Sequence, residues 1–247
     1  MAETVEDSEI SLAGGSTIPY QVISTDGVDC PLLRFNSDGT LEIRLTDTSL
    51  DVDQLLSDHE QWIEEQYRRQ LQAIDKITDD YSGLTTGFVL WGRSYEYETT
   101  RGQYDISLQE RSVSVSTPVD RDPLPFLRNQ LIDALRTTIE TLAKPLTKQF
   151  AVSYDQIHIR NQRTKWASCS TSGTLSFNIR CAFLPISHIR YLVAHELAHF
   201  EVPDHSDAFW DLVETAIEHP TRYSDELEGY WLLVNRNPVW ESILETW

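Results

Sequence analysis

The chain has 247 residues, 40% of them apolar, which is enough for one large domain or two small ones with a real core. No stretch approaches the roughly 18 uncharged apolar residues of a membrane span, and the opening MAETVEDSEI is acidic where a secretory leader would be basic and then apolar, so a cytoplasmic, non-membrane protein is expected. Its 39 acidic side chains against 20 basic ones give a net charge of −19, and Cys30, Cys169 and Cys181 lack CxxC spacing, which argues against a disulfide framework or a thiolate zinc knuckle and for buried free thiols.

Only four of the basic residues are lysine. In about molar salt the Debye length falls to about 3 Å, so a surface this acidic stops repelling itself while its carboxylates keep it hydrated. The composition is therefore read as halophilic, with an ordinary acidic cytosolic protein as the alternative.

In chain order, residues 1–15 are polar, acidic and without apolar period, and read as a disordered lead-in. From Ile18 to Thr46 short apolar runs broken by TDG and SDGT read as strands and hairpins. Val52, Leu55, Leu56, His59, Trp62, Ile63 and Tyr67 then recur at helical spacing, which predicts one amphipathic helix with His59 packed in its core face. Residues 87–117 alternate again around TRG and QER and read as three strands. After the Pro-rich STPVDRDPLP, a helical period runs from Phe126 to Phe150, with Pro145 expected to kink or split it. The stretch from Asp155 to Arg180 reads as strands around STSG, and a helix follows LPIS, with Ser187 able to cap its first turn. The fold class is α+β: a β-rich N-terminal region with one long helix over 16–121, a second half over 122–220, and a Trp-rich tail over 221–247 expected to pack back on the domain.

That last predicted helix carries HELAHFEVPDH, residues 195–205. On a helix His195 and His199 stand one turn apart on one face, so two imidazole nitrogens can reach one ion at about 2.0–2.1 Å. Glu196 flanks that face, where its carboxylate can take a proton from water on the ion without ligating it. Pro203 ends the helix and allows the chain to return His205 as a third ligand, leaving one open position, the pattern of a catalytic zinc. Glu201, Asp204 and Asp207 compete for that third place, and the two aspartates could instead accept from imidazole N–H groups. The spacing matches the metzincin motif, but Val202 stands at its glycine position and the sole methionine is Met1, so that family is excluded.

The segments IRNQRTKWASCSTSGTLSFNIRCAFLP and YLVAHELAHFEVPDHSDAFW resemble the YgjP-like metallopeptidase domain family, relatives of the SprT and WLM zinc proteases. SDGTLEIRL, HEQWIEEQ and LWGRSYEY extend the resemblance over about residues 16–218. The chain departs from the family pattern at Lys165 (usually arginine), Ala167 (glycine) and Ile179 (tryptophan). The resemblance implies a zincin-like half in which His195, His199 and His205 bind one zinc ion and Glu196 is catalytic.

Between Gln156 and His195 there is no acidic residue, while Arg160, Arg163, Lys165, Arg180 and Arg190 lie there. This basic segment is expected either to line the cleft and attract an anion or to pair with acids elsewhere. Arg163, Lys165, Asn178, Arg180 and Tyr191 are the candidate substrate-binding residues, with Arg163, Asn178 and Tyr191 the candidates for stabilising an oxyanion. The strand 174–179 could offer its edge to an extended peptide. The expected activity is zinc metalloendopeptidase hydrolysis of a peptide or protein substrate, with nucleic acid a less favoured partner. The alternative is a zinc-containing binding or scaffold module, linked to nucleic-acid transactions, with little turnover.

Overall fold

The computed structural model describes residues 4–12, 15–24, 31–45, 50–77 and 80–247. Two four-stranded sheets in it share one topology. The first is built from β1 (Thr4–Ser11), β2 (Thr17–Ser24), β3 (Leu32–Phe35) and β4 (Leu41–Leu45) in the order β1-β2-β4-β3. Its successive pairings are antiparallel, parallel and antiparallel. The second repeats that order and that alternation with β5 (Phe88–Leu90), β6 (Arg93–Arg101), β7 (Asp105–Leu108) and β8 (Ser112–Thr117), where β6 lies parallel to β8. Each sheet is followed by helix: α1 (Val52–Asp58) and α2 (Glu60–Asp75) after the first, the long α3 (Pro123–Phe150) after the second.

A third sheet of β9 (Gln156–Arg160), β10 (Ala167–Cys169) and β11 (Thr174–Asn178) has the order β10-β11-β9. It leads through a 3₁₀ turn, Ile179–Phe183, into α4 (Ile186–Ala198), followed by α5 (Asp207–Glu214), α6 (Pro220–Arg236) and α7 (Pro238–Glu245).

The apolar side chains form two clusters. Leu41, Ile43 and Leu45 of β4 pack with Ile18, Leu56 and Ile63 in a small N-terminal core. A larger core joins Val113 and Val115 of β8 to one face of α3, to β11, to α4 and to Trp240 of α7. The end of α2 belongs to this larger core through Ala73 and Ile74, which ties the first unit to α6. β8 and α3, on either side of the Pro-rich stretch, therefore share one continuous core, and α6 and α7 contribute to it. Trp240 is fully buried and donates from its indole nitrogen to the Val89 carbonyl at 2.9 Å.

Several expectations are corrected. Within 1–15, Thr4–Ser11 is a strand paired with β2 from Thr4↔Ser24 to Ser11↔Thr17. It reads as polar because it is an exposed edge recruited by backbone hydrogen bonds, with Ile10 its contact to the core. The predicted single helix after the first sheet breaks at His59, which is exposed, ends α1 with its Nδ1 2.8 Å from the Leu55 carbonyl, and precedes α2 without a side-chain cap to it. Residues 87–117 form four strands, because Trp91 and Gly92, both at positive φ, make a two-residue hairpin inside LWGR. α3 runs unbroken through Pro145, held by the buried Ala143, Leu146 and Phe150 on its core side. Ser187 does not cap α4, whose N-cap is Pro185. β11 is the central strand of its sheet, so both its edges are spent and the outer edges belong to β10 and β9. The expected TDG turn and Cys30 lie outside the described residues.

Candidate metal centre

The hairpin between β5 and β6 sets where α4 begins. The Trp91 and Gly92 N–H groups donate to the carbonyls of Ala182 and Phe183 at 2.9 and 3.0 Å. Gly92 is needed there, because a Cβ would come within 2.8 Å of the Pro185 ring and its φ is +76°. The other clamp on α4 is polar and buried: His188 Nε2 lies 2.8 Å from Glu226 Oε2 of α6, and Arg222 donates to the other oxygen at 2.9 Å. Tyr191, one turn on, stacks against Tyr223 of α6 with centroids 5.6 Å apart.

His195 and Glu196 occupy the last turn of α4 and His199 is its C-cap. The chain continues through turn bonds from Phe200, Glu201 and Val202, then leaves at Pro203. The Asp204 carboxylate accepts from the Ser206 N–H at 3.2 Å, and α5 starts after Ser206. This turn brings His205 back beside the helix, with its Nε2 3.1 Å from His195 Nε2. Two donors on one tetrahedral ion at 2.0–2.1 Å stand about 3.3 Å apart, so this pair is already at ligand spacing. All three imidazole donor atoms lie within 4.8 Å of one another.

The second nitrogen of His199 supports the same reading, while the buried Nδ1 of His195 has no hydrogen-bond partner among the described residues. His199 Nδ1 faces the Val202 carbonyl at 3.2 Å, and donating to it frees Nε2 for an ion. Burial, with His199 and His205 adding to it, pushes His195 down to about 4, and burial also lowers His199, so both rings are neutral donors at ordinary pH. Phe209 of α5 is fully buried against all three rings, with centroids 4.9, 4.5 and 4.8 Å from His195, His199 and His205. Among the described residues the metal-capable group contains these histidines and not Glu201, Asp204 or Asp207. The acceptor for His199 is a backbone carbonyl, not either aspartate.

Glu196 is buried, and burial pushes its carboxyl up to about 7 against the opposing effects of the Cys169 N–H and thiol and the charge of Lys165. Cys169 is half-buried and free, and Cys181 is buried and free.

The remaining candidate residues are dispersed. Lys165 is exposed, and its charge reaches Glu196. Asn178 is fully buried: its Nδ2 donates to the carbonyls of Gln162 and Lys165, and its Oδ1 accepts from the Arg180 N–H. Arg180 is buried among Asn235, Asn161 and the Gln162 carbonyl, with Trp231 under its guanidinium. These two hold the 161–165 loop against α6. Tyr191 is buried next to His195 and stacked on Tyr223. Arg163 is exposed and lines a cavity with Trp166 and Trp231. None of the five basic residues of the acid-free segment pairs with an acid among the described residues. Sequence reasoning missed Phe209, Cys169 and the His188–Glu226 clamp. Helical spacing from Ser206 and the position of His188 two turns before His195 were the available signals.

Among the described residues no helix is long and apolar enough to cross a membrane. A comparison with curated proteins found no match. Among solved structures, the chain is similar to the metallopeptidase zymogen of Pyrococcus abyssi abylysin at 24% identity and a TM-score of 0.34, over 36% of this chain and 90% of that one. The pattern of the YgjP-like, metallopeptidase domain family matches residues 32–230, so the match begins in β3 and ends in α6, and the chain belongs to that family.

Proposed function

We propose that the chain is a zinc metalloendopeptidase in which His195, His199 and His205 hold the ion and Glu196 is the general base. The observation that carries this is the convergence of three imidazole donors on one point with a buried carboxylate next to them. Three nitrogen donors suit zinc, and the exposed side of His205 leaves room for substrate. Zinc bound there would polarise the scissile carbonyl and acidify water.

Glu196 takes the proton from the attacking water and delivers it to the leaving nitrogen. Cys169 and Lys165 favour the charged form of that carboxylate, and Phe209 walls the imidazoles off from the core side. Lys165, whose charge reaches Glu196, offsets the negative charge that builds on the carbonyl oxygen. An extended substrate adds to the free edge of β10, the strand that ends at Cys169.

Zinc content and peptide hydrolysis measured on wild type and Glu196→Gln test the assignment. The variant is expected to keep one zinc per chain and to lose about 10²–10⁴-fold in rate. Loss of the metal with Glu196 would make it a ligand and overturn the assignment, and a zinc-loaded wild type that cleaves no peptide would leave the scaffold reading.

A further inference from the structure

The edge of β10 runs from the metal centre to an aromatic cavity. The Asn178 N–H donates to the Trp166 carbonyl and the Ser170 N–H to the Thr174 carbonyl, so residues 166, 168 and 170 face β11. By antiparallel alternation Ala167 and Cys169 turn their backbone groups away from β11, and β10 packs against α4, which carries His195 and Glu196. Three residues back along this strand, about 10 Å away at the usual rise, stands Trp166.

Trp166 meets Trp231 edge to face at 5.0 Å, and its indole nitrogen donates to the Leu227 carbonyl at 3.3 Å. Together with Phe35 and Leu232 they line a cavity of about 560 Å³ between the first sheet and α6. Arg163 is its cation and Glu228 its one acid. Arg163 makes no ion pair among the described residues and belongs to the acid-free segment of a chain at −19. An incoming anion is therefore drawn to the Arg163 end of this cavity and repelled by most of the remaining surface.

We infer that this cavity is a specificity subsite, reached along β10, that takes a large apolar or aromatic side chain about three residues from the scissile bond, with a neighbouring carboxylate at Arg163. This rests on the peptidase reading and deepens it. The carboxylate can come from an acidic side chain or from a chain end, and both present the same group to a guanidinium.

The test uses zinc-loaded full-length protein and two peptide series, one varying the residue three positions from the cleaved bond, the other comparing acidic, neutral and basic neighbours with free and amidated C-termini. Tryptophan or phenylalanine is expected to exceed alanine at least tenfold in kcat/KM, with the difference in KM. Trp231→Ala should flatten that preference, and Arg163→Glu, at an exposed position that does not threaten folding, should invert the acidic preference. Selectivity lost on amidation assigns the carboxylate to a chain end, and selectivity surviving it assigns a side chain. Calorimetric binding of the same peptides to Glu196→Gln separates this subsite from the reaction. Binding that depends on Trp231 without any wild-type turnover would support the subsite and sink the peptidase reading. Cleavage indifferent to the varied residue would do the reverse. Tighter binding of single-stranded DNA than of any peptide, abolished by Trp231→Ala, would overturn the peptide assignment.

Discussion

The two four-stranded sheets have the same strand order and the same alternation of pairings, yet only one supports the helix that carries the candidate metal ligands. The first closes a small core of its own around Leu41, Ile43 and Ile63. The second turns Val113 and Val115 onto α3 and sends its Trp91–Gly92 hairpin to the start of α4. One topology thus serves as an annex in one place and as part of the scaffold of the candidate metal centre in the other. The difference lies in what each sheet's inner face meets, which strand order does not specify.

The sharpest way to break this comparison is to open one core at a time. Trp240→Ala removes a fully buried indole and its bond to Val89, at a cost of about 3–5 kcal/mol, and should abolish zinc uptake along with the fold. Leu41→Ala in the first sheet should cost about 2–5 kcal/mol but leave zinc stoichiometry at one per chain. Hydrogen exchange with metal analysis checks both. Equal loss of zinc in the two variants would mean that the annex and the scaffold are one cooperative unit.

The clustering of the three imidazoles was legible because helix geometry turns HELAH spacing directly into neighbouring rings, and Pro203 marks where the chain must turn back. The α+β class was legible from alternation and helical period. The strand β1 was not, since VEDSEI has hardly any apolar face and is held by backbone pairing to β2. The break at His59 was hidden for a related reason: apolar spacing continued across it, while the cap geometry lies in φ and ψ rather than in residue type. The role of Asn178 and Arg180 in fixing the 161–165 loop depends on Asn161 and Asn235 from distant segments, which no local pattern reveals.

Acid sharpens the contrast between the sheets at a smaller scale. In β4 the buried Glu42 accepts from Arg34 at 2.8 Å and from Arg44 at 2.6 Å. Burial by itself would raise its carboxyl, but hydrogen bonds from Arg34, Arg44 and Asn36 outweigh it and hold the group below its ordinary value near 4.5. A depressed carboxyl contributes stability that is complete above the unfolded value and is lost as pH falls through the folded one. The first sheet should therefore loosen below about pH 4.5. Glu42→Gln should remove that acid dependence and cost about 1–3 kcal/mol at neutral pH, less than a sealed ion pair because Arg34 and Arg44 can turn to solvent. Local exchange in β4 across a pH series checks it.

The smallest expected effect concerns both sheets equally. At −19 the surface repels itself in dilute buffer, and salt screens that repulsion without touching either core. Raising KCl from about 0.1 M to about 2 M is expected to add on the order of 1 kcal/mol, or about 2–4 °C in Tm for a chain of this length. Because exposed acids lie on strands and helices of both units, the gain should appear in the exchange of β4 and β8 alike. A midpoint indifferent to KCl would remove the halophilic reading. A gain confined to the first sheet would instead trace it to the carboxylates of its exposed edge strand β1, Glu6, Asp7 and Glu9.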